Sequence, residues 1–333
     1  MPSLFRIVGM LVLLCLVALL PLVTSDYYVG LVTKIMIYSI FALSLQLLVG
    51  GTGLVSLGHA AFFGIAAYAT VLFSPESGSA NLLVALPAAM ACALAYALLT
   101  GALALRTKGV YFIMVTLAFS QMAYYVFHDA DFSGGSDGIY LYFRPELRLG
   151  DTVLLNVDSP ISFYLLTLAL LVLTWAFLSM LMRSRFGAAL TGIRVNELRM
   201  RSAGFSTFNY KLVAYGLAGA LAGISGLLYA SKDGFVNPEL LAWEQSGLVL
   251  LMVILGGSGR LWGAVLGAAG LTLLQEAFQS QALFGDWSTH WHLTFGLCII
   301  ALVALMPNGL IGISAQWRGR RSALRAVGSQ GQP

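Results

Sequence analysis

Residues 183–210 read RSRFGAALTGIRVNELRMRSAGFSTFNY and form a basic, polar stretch between two apolar runs. The stretch contains five arginines and a single acidic residue, Glu197. An excess of Arg and Lys in a short loop marks the inner side of a membrane. We therefore interpret 183–210 as a cytoplasmic docking loop, and the rest of the chain as membrane spans arranged around it.

The docking loop has a weak helical pattern of its own. Four of its residues fall near helical spacing: Leu190, Ile193, Leu198 and Arg201. Gly187 and Gly204 stand where helix breakers would end such a segment. The pattern predicts a short surface helix, and the simpler alternative is a linker that only sets the orientation of the spans.

The composition is typical of a membrane protein. Of 333 residues, 59% are hydrophobic and 10% are charged, whereas about a quarter of the residues of a soluble domain are charged. Cys15, Cys92 and Cys298 all lie inside apolar runs, which predicts packed thiols and no disulfide or metal site. The basic residues cluster at span ends, which argues against nucleic-acid binding. We expect an all-α polytopic membrane protein.

The apolar runs predict about ten transmembrane helices, some of them short or broken. The run at 7–23 follows Arg6 and is either a signal-peptide core or a retained span; its length and the lack of a following A-x-A site favour a span. The ten segments are 7–23, 29–49, the Gly/Ala-rich 50–69, 81–105, 109–127, 161–182, 211–231, 245–259, 261–279 and 292–306. We expect one transmembrane domain over 1–315 and a disordered basic cytoplasmic tail over 316–333.

The charges predict an orientation with both termini in the cytoplasm. In this arrangement 14 of the 18 Lys and Arg lie in inner segments, and the four others are Lys34, Arg144, Arg148 and Lys232. All acidic residues except Glu197 lie outside or at outer span ends. The segment 129–160 holds six acidic residues against two arginines and is predicted to be a periplasmic loop.

Several function classes lose support from the residues alone. Carboxylates are missing from the span interiors, where proton-coupled carriers usually keep them, although sodium sites built from carbonyl groups stay possible. None of the four lysines follows a glycine, so the sequence has no phosphate-binding loop. If ATP drives transport, another chain must hydrolyse it.

One short motif raises the alternative of an intramembrane serine protease. Residues 223–226 spell GISG, a GxSG motif, and His290 or His292 is a candidate base. The same residues belong to a stripe of small residues in the run from 210 to 230, which is typical of close helix packing. We favour packing and predict no catalytic, cofactor or metal-binding residues.

Successive blocks along the chain resemble one family. The blocks are GLVSLGHAAFFGIAAYA (53–69), GVYFIMVTLAFSQ (109–121), SGGSDGI (133–139), SRFGAALTGIRVNELRMRSAGF (184–205), YKLVAYGLAGALAGISGLLYA (210–230), LVLLMVILGGSGRLWGAVLGA (248–268) and HWHLTFGLCIIALVALMPNGLIGI (290–313). They are similar to LivM-type permeases, the membrane subunits of ABC importers for branched-chain amino acids, with relatives that serve urea and short amides. Ser133 and Asn308 depart from the family pattern, which often has Thr and a basic residue there.

The resemblance implies a bacterial inner-membrane importer for a small neutral or zwitterionic solute. Its partners would be a homologous second permease, two cytoplasmic ATPase subunits and a periplasmic substrate-binding protein. Residues 188–204 would be the coupling helix, with apolar residues filling a groove on the ATPase and charged residues fixing the register. The implied coupling residues are Leu190, Ile193, Arg194, Asn196, Glu197, Leu198, Arg199, Arg201 and Gly204. Charge reversal at Arg194 or Glu197 is then expected to uncouple ATP hydrolysis from uptake.

Polar residues and glycines suggest where the solute passes. The polar residues in otherwise apolar helices are Ser56, His59, Thr116, Ser120 and Gln121, which either line a neutral route or join helices to one another. The similar turns GGTG (50–53) and GGSG (256–259, with Gly256 and Gly257) would lie at the inner face and form a gate. Gly134, Gly135 and Asp137 in the loop 133–139 are predicted to form an outer gate at the mouth of the route. The alternative from another class is an ATP-independent channel or secondary carrier.

Overall fold

A computed structural model describes residues 15–75, 78–149, 152–155, 157–257, 259–281, 285, 290–305 and 309–310. The predicted first span at 7–23 is described only from residue 15, where 15–19 are helical and Leu20–Leu22 form a 3-10 turn. The predicted tail at 316–333 lies outside the described residues.

The described chain is mostly helical, as expected where the backbone must satisfy its own hydrogen bonds in lipid. The helices are α1 (Asp26–Gln46), α2 (His59–Leu72), α3 (Leu82–Ala104), α4 (Val110–Asp129), α5 (Pro160–Arg183), α6 (Arg185–Val195), α7 (Glu197–Ser202), α8 (Thr207–Asp233), α9 (Trp243–Gly256), α10 (Leu261–Gln279) and α11 (Trp291–Leu305). The strands are β1 (Ile139–Tyr140), β2 (Leu147–Leu149), β3 (Thr152–Leu155) and β4 (Phe235–Val236), and 3-10 turns cover Asp131–Ser133, Gly135–Asp137 and Pro238–Leu241.

Six helical segments are long and apolar enough to cross a membrane, and α2, α9 and α11 are shorter apolar helices. The six are α1 with its extension to Thr52, α3, α4, α5, α8 and α10. Where the sequence predicted about ten spans, the described part of the chain therefore holds six long and three short ones. Most predicted boundaries are close, and α10 has the predicted range 261–279.

Helix α8 forms the centre of the bundle, and its glycine stripe explains why. A Cβ on Gly219 would lie 2.5 Å from Ala97 Cβ in α3, and a Cβ on Gly226 would lie 2.2 Å from Phe63 O in α2. Ser225 is fully buried and donates to Ala222 O of its own helix at 2.7 Å. The GxSG motif thus lies in a helix-packing surface, and Ser225 has the environment of a packing residue.

The segment 50–69 is not one continuous helix, because its backbone leaves the helix between residues 53 and 58. Helix α1 widens into a π turn, Leu47–Thr52, and ends at Gly53, whose φ of +75° is the left-handed conformation that glycine favours. The chain is then non-helical to Gly58, and α2 begins at His59. Composition predicted the close packing, but the composition of a Gly/Ala run does not reveal where its backbone leaves the helix.

Segments predicted to share a side of the membrane meet in the structure. Among the outer segments, β1 pairs antiparallel with β4 through Ile139 and Val236, and Tyr27 Oη donates to Glu276 Oε1 at 2.5 Å. Among the inner segments, Arg194 of the docking loop reaches Gly50. These contacts group the segments as the charges predict, and the side of the membrane that each group faces stays a prediction.

Candidate coupling site and gates

The docking loop consists of two short helices in place of the predicted single one. Asn196 separates α6 from α7 in an extended conformation (φ −158°, ψ 99°), and its Oδ1 accepts from Arg199 N at 3.0 Å. This side chain therefore caps α7. Asn196 is the residue type that favours a cap over a helix interior, which is why one helix becomes two.

The predicted ends of the loop helix are half correct. Gly204 follows α7 with a φ of +87° and ends it as expected. Gly187 is wrong as a helix start, because α6 begins at Arg185 after the cap residue Ser184. A Cβ on Gly187 would lie 2.5 Å from Met182 Cα, so this glycine permits the sharp turn from α5 into α6.

The apolar residues of the docking loop divide into two groups. Leu190 is 0% and Ile193 4% exposed, and both pack into the chain. The predicted role, in which they fill a groove on the partner, requires side chains that face outward. Because Leu190 and Ile193 are buried, they are not available to a docked partner. Leu198, 71% exposed, and its neighbour Val195, 78% exposed, do face outward. Helical spacing alone placed Leu198 with Leu190, because the break at Asn196 was not visible in the pattern.

Glu197 anchors α7 to the bundle through one carboxylate oxygen. Its Oε1 accepts from Lys211 Nζ at 2.9 Å, Thr207 Oγ1 at 3.0 Å and Arg201 Nη2 at 2.8 Å. Lys211 is 5% exposed and lies in the first turns of α8. Burial by itself would raise the pKa of Glu197, but the hydrogen bond and charge of Lys211, together with Thr207 and Arg201, outweigh it and lower the pKa.

Arg194 connects α6 to the two glycine turns. Its Nη1 donates to Gly50 O at 2.6 Å, and a Cβ on Gly259 would lie 3.6 Å from the same nitrogen. The turns themselves touch, since a Cβ on Gly50 would lie 3.4 Å from Gly259 Cα. The structure thus brings together two stretches about 200 residues apart that the sequence related only by their similar letters.

The two glycines predicted for the second turn differ in their roles. Gly257 has a φ of +107°, which requires glycine. Gly256 is still helical, and a Cβ on it would lie 1.7 Å from Gly263 O in α10. Gly256 therefore permits the close approach of α9 and α10, while the bend itself occurs at Gly257.

Hydroxyl groups from three segments accept hydrogen bonds from backbone amides just before α2 and in its first turn. Leu57 N donates to Thr116 Oγ1 at 3.2 Å, Gly58 N to Ser56 Oγ at 3.2 Å, and Ala60 N to Ser246 Oγ at 2.8 Å. These three acceptors are fully buried. They take the place of the carbonyl oxygens of a preceding helical turn, which these amides lack because the helix does not continue there.

The other predicted route residues also bond within the chain. Ser120 is fully buried and donates to Leu241 O at 2.8 Å. His59, also fully buried, has Nε2 2.8 Å from Ser44 Oγ, and because Ser44 donates to Phe41 O, the imidazole N–H is the donor. Gln121 is half-buried on α4. His59, Thr116 and Ser120 contact other segments, whereas Ser56 accepts from Gly58 two residues away. None of the four has exposed surface in this chain, and their part in a solute route stays a prediction.

Sequence reasoning missed Ser44 and Ser246, which complete these contacts. Each is a serine in a mostly apolar helix, without a motif around it. Such residues often bond to their own helix, as Ser231 does to Leu227 O at 2.8 Å. Only the tertiary structure distinguishes the two uses.

The outer loop has the backbone that its glycines predicted. Gly134, Gly135 and Gly138 have φ values of +71°, +60° and +73°. A Cβ on Gly138 would lie 2.3 Å from Val236 O, so the loop packs directly on β4. Asp137 is exposed and accepts from its neighbour Ser136 Oγ at 3.3 Å.

A family model described as "Branched-chain amino acid transport system / permease component" matches residues 27–304. The chain belongs to this family of permeases. The match runs from the second residue of α1 to the penultimate residue of α11, so it covers the docking loop, both glycine turns and the break before α2.

The permease is similar to curated proteins along most of its length. It is 31% identical over 318 residues to the high-affinity branched-chain amino acid transport system permease protein LivM of Escherichia coli K12, which covers 90% of this chain and 73% of that protein. It is also 31% identical to LivM of Salmonella typhimurium LT2, over 91% of this chain and 74% of the relative. The autoinducer 2 import system permease protein LsrC of Photorhabdus laumondii is 27% identical over 46% of each chain. No solved structure matches the permease.

Proposed function

We propose that this chain is the membrane subunit of an ATP-driven importer that passes a small neutral or zwitterionic solute, most specifically a branched-chain amino acid, into the cytoplasm. The observation that carries the proposal is the docking loop: two capped helices fixed to the bundle by Arg194 and Glu197, with an exposed apolar tip at Val195 and Leu198. The similarity to LivM over 90% of the chain supports the substrate class.

The proposed assembly has three kinds of partner in the bacterial inner membrane and its two compartments. A homologous second permease forms a heterodimer with this chain in the lipid bilayer, two ATPase subunits dock on the cytoplasmic loop, and a periplasmic protein delivers the solute. ATP is hydrolysed on the separate subunits, so the permease itself is not an enzyme. Because the buried polar residues have no exposed surface in this chain, we propose that the solute route is completed at the surface shared with the second permease.

Three exposed residues of the docking loop support the proposed contact with the ATPase. Val195 and Leu198 are apolar and exposed, and the exposed Arg199 lies beside them. Apolar anchors with charged neighbours are typical of a helix that enters a groove. The loop is instead held on the bundle by Leu190, Ile193 and Glu197. Charge reversal of Glu197 would therefore also detach α7 from α8, in addition to the predicted uncoupling.

Affinity purification of the tagged permease tests the proposal directly. An ATPase with a phosphate-binding loop and a second permease of similar length are expected to copurify. Leu198→Asp with Val195→Asp should release the ATPase while leaving the second permease bound, and Leu297→Asn, on an exposed face of α11, serves as the matched control. A chain that purifies as an active transporter by itself would support the channel or carrier alternative.

The proposed outer gate has a separate test. The loop 133–139 packs on β4, which leads into the buried turn Pro238–Leu241 between α2 and α4. We expect Gly135→Ala combined with Asp137→Ala to reduce uptake without releasing the ATPase. Uptake that stays intact would remove the gate from the proposal. Binding assays on the copurified periplasmic protein would identify the solute.

A further inference from the structure

The inner end of α1 carries a buried polar side chain that the proposed function does not use. Gln46 is the last residue of α1 and is 2% exposed. With its amide oxygen directed at the turn before α10, Oε1 accepts from Gly259 N at 2.6 Å and from Arg260 N at 3.1 Å. Arg260 makes no cap bond to α10 with its own side chain. Gln46 of α1 therefore satisfies one of the free amides at the start of α10, that of the cap residue Arg260, from outside that helix.

Gly50 lies between Gln46 and the docking loop. A Cβ on Gly50 would lie 2.7 Å from the side-chain amide atom of Gln46 that faces this turn, which is Oε1 in the orientation described above. Its carbonyl oxygen accepts the 2.6 Å bond from Arg194. A continuous set of contacts thus runs from α6 through Arg194 and Gly50 to Gln46 and the start of α10.

At this junction two glycines touch, since a Cβ on Gly50 would lie 3.4 Å from Gly259 Cα, and the bonds of Gln46 and Arg194 lie on either side of them. Arg194 is exposed, so a partner bound to the docking loop can compete for its guanidinium group. A bound partner shifts an equilibrium only if its contacts differ between the two states, and Arg194 provides such a difference.

We propose that Gln46 is a positioning residue that joins the inner ends of α1 and α10, and that Arg194 connects this junction to the docking loop, so that movement of the loop opens the inner end of the permease. The proposal rests on the importer function proposed above. In this proposal two contacts carry the movement of the loop to the inner end of the bundle: the amide of Gln46 at the start of α10 and the bond from Arg194 to Gly50 O. Other residues of the loop contact the ATPase.

Hydrogen exchange on the purified full-length permease tests the junction without any transport. Gln46→Met keeps the length of the side chain but removes the acceptor, and should speed exchange of the Gly259 and Arg260 amides about tenfold. Gln46→Glu keeps an acceptor and should restore slow exchange. Gln279→Met, at the opposite end of α10, is the matched control and should leave these amides unchanged.

The reconstituted importer then tests the coupling. In Gln46→Met the solute carried per ATP hydrolysed should fall about fivefold, and Arg194→Met should reproduce the loss without adding to it in the double variant. Gln279→Met and Gln46→Glu should keep the wild-type ratio.

The outcomes distinguish the junction, the coupling role and the importer function from one another. Unchanged exchange in Gln46→Met overturns the junction. Faster exchange with an unchanged transport ratio overturns the coupling role and leaves Gln46 as a helix cap only. A wild-type assembly that carries no solute with ATP overturns the importer function, and the coupling role with it, while the exchange result still reports on the junction.

Discussion

Glu197 illustrates how a residue in a cytoplasmic loop can support the membrane bundle. Its carboxylate is the partner of Lys211, which is 5% exposed, so removing the negative charge leaves a buried cation without compensation. We expect Glu197→Gln to lower the free energy of unfolding by about 2 kcal/mol. Thermal unfolding in nanodiscs measures the change. Arg199→Gln, an exposed residue of the same helix, should stay within about 0.5 kcal/mol of wild type.

The same carboxylate predicts a pH dependence. Because the folded pKa of Glu197 is lowered, its stabilisation is fully present above the unfolded value of about 4.3 and is lost as the pH falls through the folded value. The difference in melting temperature between wild type and Glu197→Gln should therefore be constant from pH 8 to about pH 5 and shrink below about pH 4. A difference that shrinks as the pH rises would contradict the network.

At the residue scale, the sequence identified important positions better than their partners. Arg194 and Glu197 were selected from the loop pattern, and both make specific contacts with the bundle, while their coupling role stays a prediction. Their partners Gly50 and Lys211 are 144 and 14 residues away, and only the fold brings them together. Leu190 and Ile193 were assigned outward because a helical face has two possible directions, and periodicity does not say which one is buried.

At the scale of elements, the start of α2 depends on a cap from another helix. Ser246→Ala in α9 removes the acceptor of Ala60 N and leaves a buried amide unsatisfied. We expect a loss of about 1–3 kcal/mol of stability. Ser231→Ala removes a hydroxyl that bonds to its own helix, and should cost less. Equal losses in thermal unfolding of the two variants would argue against the cap.

The glycine stripe of α8 gives a second test at this scale. Gly219→Ala would place a methyl group 2.5 Å from Ala97 Cβ, and the backbone of α3 must move to accept it. Overpacking of this kind costs about 1–3 kcal/mol. Gly30→Ala in α1 meets nothing within 4 Å and should be neutral or slightly stabilising. Denaturation of the two variants side by side distinguishes lost packing from a general effect of replacing glycine.

At the scale of the whole molecule, the orientation can be tested by labelling. We expect a cysteine at Arg199 to react with a membrane-impermeant maleimide only from the cytoplasmic side, and a cysteine at Asp137 only from the periplasmic side. Both residues are exposed, and Cys15, Cys92 and Cys298 would first be replaced. Labelling from the opposite sides would invert the whole topology.

The fold class and most helix boundaries followed from the sequence because lipid imposes a simple rule on long apolar segments. The rule fails where the backbone leaves the helix. The break from Gly53 to Gly58 and the turn Pro238–Leu241 are partly buried between helices, and each has a polar group that bonds to a residue far along the chain: Leu57 N to Thr116 Oγ1 and Leu241 O to Ser120 Oγ. Hydropathy carries no information about such partners.

The break before α2 has a consequence for synthesis of the protein. Helix α2 has 14 residues and is about 21 Å long, which is shorter than the roughly 30 Å hydrocarbon core. We therefore expect its first amides to lie at membrane depth, and the acceptor of Ala60 N, Ser246, leaves the ribosome 186 residues later. Until then the nascent chain has no native partner for that amide, so α2 is expected to stay at the translocon or in a water-filled site and to settle into the bilayer only after α9 has been made.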